Sequence, residues 1–236
     1  MRRARSARIA AVGLSALLAA LALPACAPLY GAEQAVTLPP PATDAPKAAG
    51  TSQIAVLAAG CFWGVQGVYE HVRGVTKVVS GYAGGNGATA QYETVSRGNT
   101  GHAESVQITF DPAEISYGEI LRIAFSVVHD PTELDRQGPD YGSQYRSAIF
   151  FADESQKRIA QSYIEQLNAQ HAFGKPIVTR LEPLKGFYPA ESYHQDFLVR
   201  HPTHPYIAYN DLPKVENLKR VFPDLYREQP VLVNAR

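Results

Sequence analysis

The chain is 236 residues long and carries 22 basic and 22 acidic residues, so its formal charge is zero. That balance gives no ground for a nucleic-acid partner, which calls for a basic excess. Two cysteines are too few for a disulfide-built scaffold, so stability must come from a buried core, and this length is ample for one.

At the N-terminus, Arg2, Arg3, Arg5 and Arg8 precede an apolar run from Ile9 to Leu23 and then Leu23-Pro24-Ala25-Cys26. A basic stretch followed by an apolar run too short for a membrane span reads as an export signal over residues 1–25. The leucine, the small residue and the cysteine resemble a bacterial lipoprotein signal in which Cys26 is lipidated, although Pro24 departs from that pattern. The alternative, cleavage after Ala25-Cys26-Ala27, would leave Pro28 at the new terminus. Either route removes four arginines and no acid, leaving 18 basic against 22 acidic residues. The expected location is the periplasm, with the membrane touched only through a lipid anchor. Residues 26–51 hold Pro28, Pro39, Pro40, Pro41 and Pro46 with almost no apolar periodicity, so they read as an extended tether. A single domain over 52–236, ending in a tail, is then expected, with a monomer as the default.

The domain opens with the apolar stretch Ile54 to Ala59, a buried strand, and Val65 to Val72 reads as a helix. Val75 to Ser80 is a second strand, ended by the glycine-rich run Gly81-Tyr82-Ala83-Gly84-Gly85-Asn86-Gly87. A long loop leads to a strand over Ala103 to Phe110, Asp111-Pro112 stops it, and Tyr117 to Val128 has helical spacing. Another polar loop runs from His129 to Tyr145. Ser147 to Phe151 is a short strand, Asp153 to Gln170 a helix with Asp153 as its cap, and Ile177 to Leu184 a final strand. This order predicts an α+β fold, a ferredoxin-like β-α-β-β-α-β core with one added helix and long active-site loops.

Cys61 falls where the first strand turns into the first helix, in Gly60-Cys61-Phe62-Trp63-Gly64. Unpaired N–H groups and the positive end of the helix dipole would lower its pKa there and make it a nucleophile. The plainer reading is a small buried hydrophobe. Glu104 opens an otherwise apolar strand, where a partly buried carboxyl group stays protonated and can donate, unless it simply faces solvent. Tyr92 and Tyr145, one in each long loop, are either hydrogen-bond donors to a polarised oxygen or aromatics packed at a loop base. His102, His129 and His194 lack the short spacings of a zinc site, so no metal is expected. A cysteine–histidine hydrolase stays open on spacing alone.

Four ordered motifs, Gly60-Cys61-Phe62-Trp63-Gly64, Gly81-Tyr82-Ala83-Gly84-Gly85, Gly101-His102-Ala103-Glu104 and Gln144-Tyr145-Arg146-Ser147, together resemble the peptide-methionine (S)-S-oxide reductase family, the A-type methionine sulfoxide reductases. The likeness extends over about Gln53 to Tyr209 and takes in Tyr193-His194-Gln195-Asp196 and Tyr206-Ile207-Ala208-Tyr209-Asn210-Asp211. It implies that Cys61 attacks the sulfoxide sulfur of oxidised methionine, free or in proteins, and is left as a sulfenic acid. It further implies Glu104 as the acid, Tyr92 and Tyr145 as holders of the oxygen, and Phe62 and Trp63 as the methyl pocket. Asp140 would line the polar side, with His194 behind it. Family members carry resolving cysteines in the loop where this chain has Ser96, or in the C-terminal tail, and this chain has neither. The implied cycle uses one cysteine and no cofactor, and an external, thioredoxin-like thiol regenerates it. Cys26 would resolve only if it escaped both cleavage and lipidation. The rivals are a Cys-His-Asp hydrolase and an inactive lipoprotein that keeps the fold for binding.

Overall fold

A computed structural model describes residues 34–47, 50 and 52–233. The leader and Cys26 lie outside the described residues. Strand β1 (Gln53–Ala59) leads into helix α1 (Phe62–Glu70), followed by β2 (Val75–Ala83), a short helix α2 (Tyr92–Val95), β3 (Ala103–Phe110) and α3 (Tyr117–Ile123), which runs on into a π turn over Ala124–Val128. A small hairpin, β4 (Arg136–Gln137) and β5 (Asp140–Tyr141), precedes β6 (Ser147–Phe151), α4 (Glu154–Ala169), β7 (Arg180–Pro183) and β8 (Phe187–Pro189). Helices α5 (Phe197–Arg200) and α6 (Leu212–Val221) follow, with a second π turn at Ile207–Asp211 between them.

The main sheet runs β7-β6-β1-β3-β2-β8. Its inner four strands, β6-β1-β3-β2, pair antiparallel. That is the order of a ferredoxin-like core, with β6 as its fourth strand. Strand β7 joins β6 in parallel after the α4 crossover, and β8 pairs antiparallel with β2 at the other edge. Ala55, Leu57 and Ala59 of β1 share a core with side chains of α1, α3, α4 and α6, whereas Val56 and Ala58 point into a smaller cluster with Ala83, Ala103, Ala148 and Phe150. Burial on both faces is why β1 reads as a continuous apolar run instead of an alternating one.

The sequence reading places α3 and α4 closely, and Asp153 does cap α4 by accepting the Gln156 N–H at 2.8 Å. The C-terminal tail packs on the domain, where α6 buries Val215 and Leu218 in the main core. One reading needs correction. Residues 34–47, read as tether, lie on the domain. Leu38 is buried in the core, and the carbonyls of Leu38, Pro39 and Pro40 accept from Arg122, Tyr163 and Gln166. Asp44 accepts from Gly118 N–H and Ser116 O–H. Prolines donate no N–H but keep their carbonyls, so a segment without apolar periodicity can still be bound through acceptors.

Candidate active site

Cys61 is the N-cap of α1, held at the sharp turn out of β1. Both glycines of its motif are required by space. Gly60 has φ 85°, and a Cβ there would meet Gln137 at 2.6 Å. A Cβ on Gly64 would lie 2.1 Å from the Asp211 carboxylate, which fills the room the missing side chain leaves.

Glu104 reaches the same turn from β3, and its Oε2 accepts the Phe62 N–H at 3.1 Å. The two long loops are tied to each other. Ser143 O–H donates to Gly98 O, Gln144 Nε2 to Ser96 O, and buried Arg146 to Gly101 O and Glu182. These bonds bring Tyr92 and Tyr145 to one cleft, where Cys61 and Glu104 both act electrostatically on each phenol. Neither tyrosine hydroxyl has a hydrogen-bond partner among the described residues. Burial, followed by the Glu104 charge, pushes both phenols up, so they remain donors at neutral pH.

The apolar wall is built on α1 and the 191–206 segment. Trp63 stacks on Phe197 at 3.9 Å between ring centroids and donates its indole N–H to His194 Nδ1 at 3.1 Å. The His194 ring also lies 5.0 Å from Phe62 and 4.6 Å from Tyr92. Behind this wall, Gln66, Ser80 and Gln195 form a closed hydrogen-bond network with the Val78 and Ala190 carbonyls. Buried polar groups satisfied in this way make a rigid support.

A family model described as peptide methionine sulfoxide reductase matches residues 53–225. The chain belongs to that family. It is an oxidoreductase that reduces methionine sulfoxide at the expense of thiols. A peptide methionine sulfoxide reductase of Mesorhizobium japonicum is 62% identical over 187 residues, covering 79% of this chain and 96% of the relative. One from Synechocystis is 53% identical over 74% of this chain and 82% of its own length. Among solved structures, reduced Mxr1 from Saccharomyces cerevisiae is 33% identical over 65% of this chain and 87% of that one, with a TM-score of 0.59. Methionine sulfoxide reductase A of Corynebacterium diphtheriae is 28% identical over 75% and 89%, with a TM-score of 0.56.

In this reductase the expected site residues converge, with one correction. The pull of the helix terminus on the Cys61 thiol is outweighed. Burial pushes the thiol well up, Glu104, Asp211 and Asp140 push it further, and the Trp63 N–H pulls only weakly the other way. Desolvation of the thiolate outweighs the dipole because Cys61 is only 8% exposed and faces carboxyl groups. Glu104 is shifted upward too. Burial raises it to about 8, against the opposing Phe62 N–H, and Asp140 and Asp211 add to the rise. Asp140 is half-buried and accepts a short hydrogen bond from Tyr206 O–H.

Tyr206, Asp211 and Glu191 were missed as individual residues. Tyr206 stands edge-on to Trp63 at 5.9 Å. Asp211 is fully buried and paired with Lys214 at 3.2 Å. Both sit in the Tyr206–Asp211 stretch that carries part of the family resemblance, which was the available signal. Glu191 had no signal beyond standing three residues before His194. The rival hydrolase needs an imidazole on the thiol. His194 instead accepts from Trp63 at Nδ1 and turns Nε2 toward Glu191, 3.9 Å away.

Proposed function

We propose that this enzyme reduces the S epimer of methionine sulfoxide, in exported proteins or free, through a one-cysteine cycle on Cys61. The observation that carries the reading is a buried thiol flanked by a protonated carboxyl group and two unpartnered phenol hydroxyls. Sulfoxide sulfur bears partial positive charge and its oxygen partial negative charge. Phe62 and Trp63 receive the methyl group, and the Tyr92 and Tyr145 hydroxyls hold the oxygen as charge develops on it. Cys61 takes over the oxygen while Glu104 protonates it, and the thiol proton restores Glu104. Methionine leaves and Cys61 is left as a sulfenic acid. Two equivalents of an external thiol then return the Cys61 thiol, yielding one disulfide and one water.

Cys61 is the free cysteine among the described residues, and the backbone at Ser96, a position that carries a resolving cysteine in some relatives, is occupied by the Gln144 side chain. Both support direct attack by an outside thiol, for which a thioredoxin-like protein is the natural class of reductant. The leader sequence supports an exported enzyme anchored through lipid on Cys26, acting as a monomer on oxidised periplasmic proteins.

The test is reduction of a peptide carrying S-configured methionine sulfoxide by the full chain, with dithiothreitol. Turnover is expected, with none from Cys61→Ser and none on the R epimer. Persistent activity in Cys61→Ser would sink the mechanism, and dependence on Cys26 would replace the one-cysteine cycle with a two-cysteine one. Retention in the membrane fraction, lost in Cys26→Ala, checks the anchor.

A further inference from the structure

Tyr92 is attached to the site wall by a carboxylate with no part in the chemistry above. Glu191, on the loop after β8, accepts the Tyr92 backbone N–H at 3.0 Å with one oxygen and the Tyr82 O–H at 2.9 Å with the other. The second oxygen lies 3.9 Å from His194 Nε2. Because the Trp63 indole N–H donates to Nδ1, that nitrogen is bare, and the neutral imidazole carries its hydrogen on Nε2, facing the carboxylate. A negative charge on that side favours this tautomer over the one that would break the Trp63 bond. The loop itself is anchored independently, since Gln195 bonds to Ser80 and Ala190 and the Asp196 N–H bonds to Gln66. Removing the Glu191 charge would therefore leave the loop in place while releasing Tyr92 and His194.

We propose that Glu191 is a positioning residue, whose carboxylate sets Tyr92 and, through His194, Trp63 in register for the sulfoxide without touching substrate. The proposal rests on the assignment of Tyr92 to the substrate oxygen. In Glu191→Gln, an amide NH2 would face the His194 Nε2 hydrogen or the Tyr92 N–H, so one of the two contacts is lost. Glu191→Asp keeps the charge at shorter reach.

The chain holds one tryptophan, so emission excited beyond the absorption edge of tyrosine reports Trp63 alone. The experiment measures kcat, KM and Trp63 emission for Glu191→Gln, Glu191→Asp, Tyr92→Phe, Tyr82→Phe and the Glu191→Gln/Tyr92→Phe double variant. Glu191→Gln is expected to lower kcat about tenfold, as misplacement of a reacting group does, and to shift Trp63 emission. In the Tyr92→Phe background the same change should cost no more than about threefold, the mark of a shared path. Glu191→Asp should recover part of the rate and most of the emission. Tyr82→Phe, which removes only a hydroxyl, should stay near wild type in both. Wild-type rate and emission in Glu191→Gln, an undiminished cost beside Tyr92→Phe, or the same losses in Tyr82→Phe would each overturn the proposal. Should Glu191→Gln not fold, Glu191→Asp takes its place in the cycle. A Tyr92→Phe enzyme at full rate would overturn the assignment of Tyr92 itself, whereas a slow Tyr92→Phe beside a fast Glu191→Gln would overturn the positioning role alone.

Discussion

Helix α1 has a buried carboxyl group at each end, and the two ends differ in what those groups face. At the N-terminal end Glu104, 3% exposed, meets the Phe62 N–H and sits in the field of Cys61. At the C-terminal end Glu70, fully buried, lies against Asp196, which also pairs with Arg200 and accepts the Val233 N–H of the terminal segment. Burial raises Glu104 to about 8 and Glu70 to about 9, the second with help from Asp196. By pKa alone Glu70 is the more perturbed, yet the charged groups acting on it are Asp196 and Arg200 and not the Cys61 thiol. A raised carboxyl marks a catalytic acid only when a reacting group can reach its proton.

Exchanging each carboxyl for its amide should separate the two ends. Glu104→Gln keeps an acceptor for Phe62 and loses the proton, so kcat should fall by about 10²–10⁴ with the fold intact. The pH dependence carries the sign. Glu104 donates only while protonated, so wild-type kcat should decline as pH rises through about 8, and that limb should vanish in the variant. A limb that survives Glu104→Gln would assign the acid elsewhere. Tyr145→Phe, which removes one of the two free donors, should cost about 10²-fold in kcat with little change in thermal stability. Equal loss in stability and activity would make Tyr145 a packing residue instead.

The smallest effect on activity belongs to the other end. Folding raises Glu70 from 4.5 to about 9, so the folded chain keeps a proton that the unfolded chain releases. Its contribution to stability is complete below about pH 4.5 and is lost as pH rises toward 9. Glu70→Gln should remove that dependence while turnover stays within about twofold of wild type. Its melting temperature should exceed the wild-type value at pH 8–9, by about 2–4 °C for each kcal/mol regained, and approach it near pH 5. Parallel melting curves across pH would refute the protonated state of Glu70.

The parts of this molecule legible in the sequence were those with local causes. The β1 run, the spacing of α3 and α4, and the Asp153 cap each depend on residues within a few positions, and each forms where expected. Cys61, Glu104, Tyr92 and Tyr145 were legible as candidates because an unpaired thiol at a strand–helix corner and polar groups in long loops are unusual in themselves. The docking of residues 34–47 was not, since proline-rich composition shows missing donors and gives no sign of the Arg122, Tyr163 and Gln166 donors that take up its carbonyls. Helix α6 escaped too, its apolar residues being sparse among the charges of Leu212–Val221.

Residue order by itself determined the family and the core topology and singled out Cys61 as the candidate nucleophile, because motif identity and hydrophobic periodicity are properties of neighbours along the chain. Tertiary structure alone decided the state of the thiol. The Cys61 pKa moved opposite to the local expectation, since three carboxyl groups from β3, β5 and the turn before α6 converge on the thiol from positions 43, 79 and 150 residues away. Charge–charge interaction and desolvation depend on distance in space, and only the packed fold sets those distances.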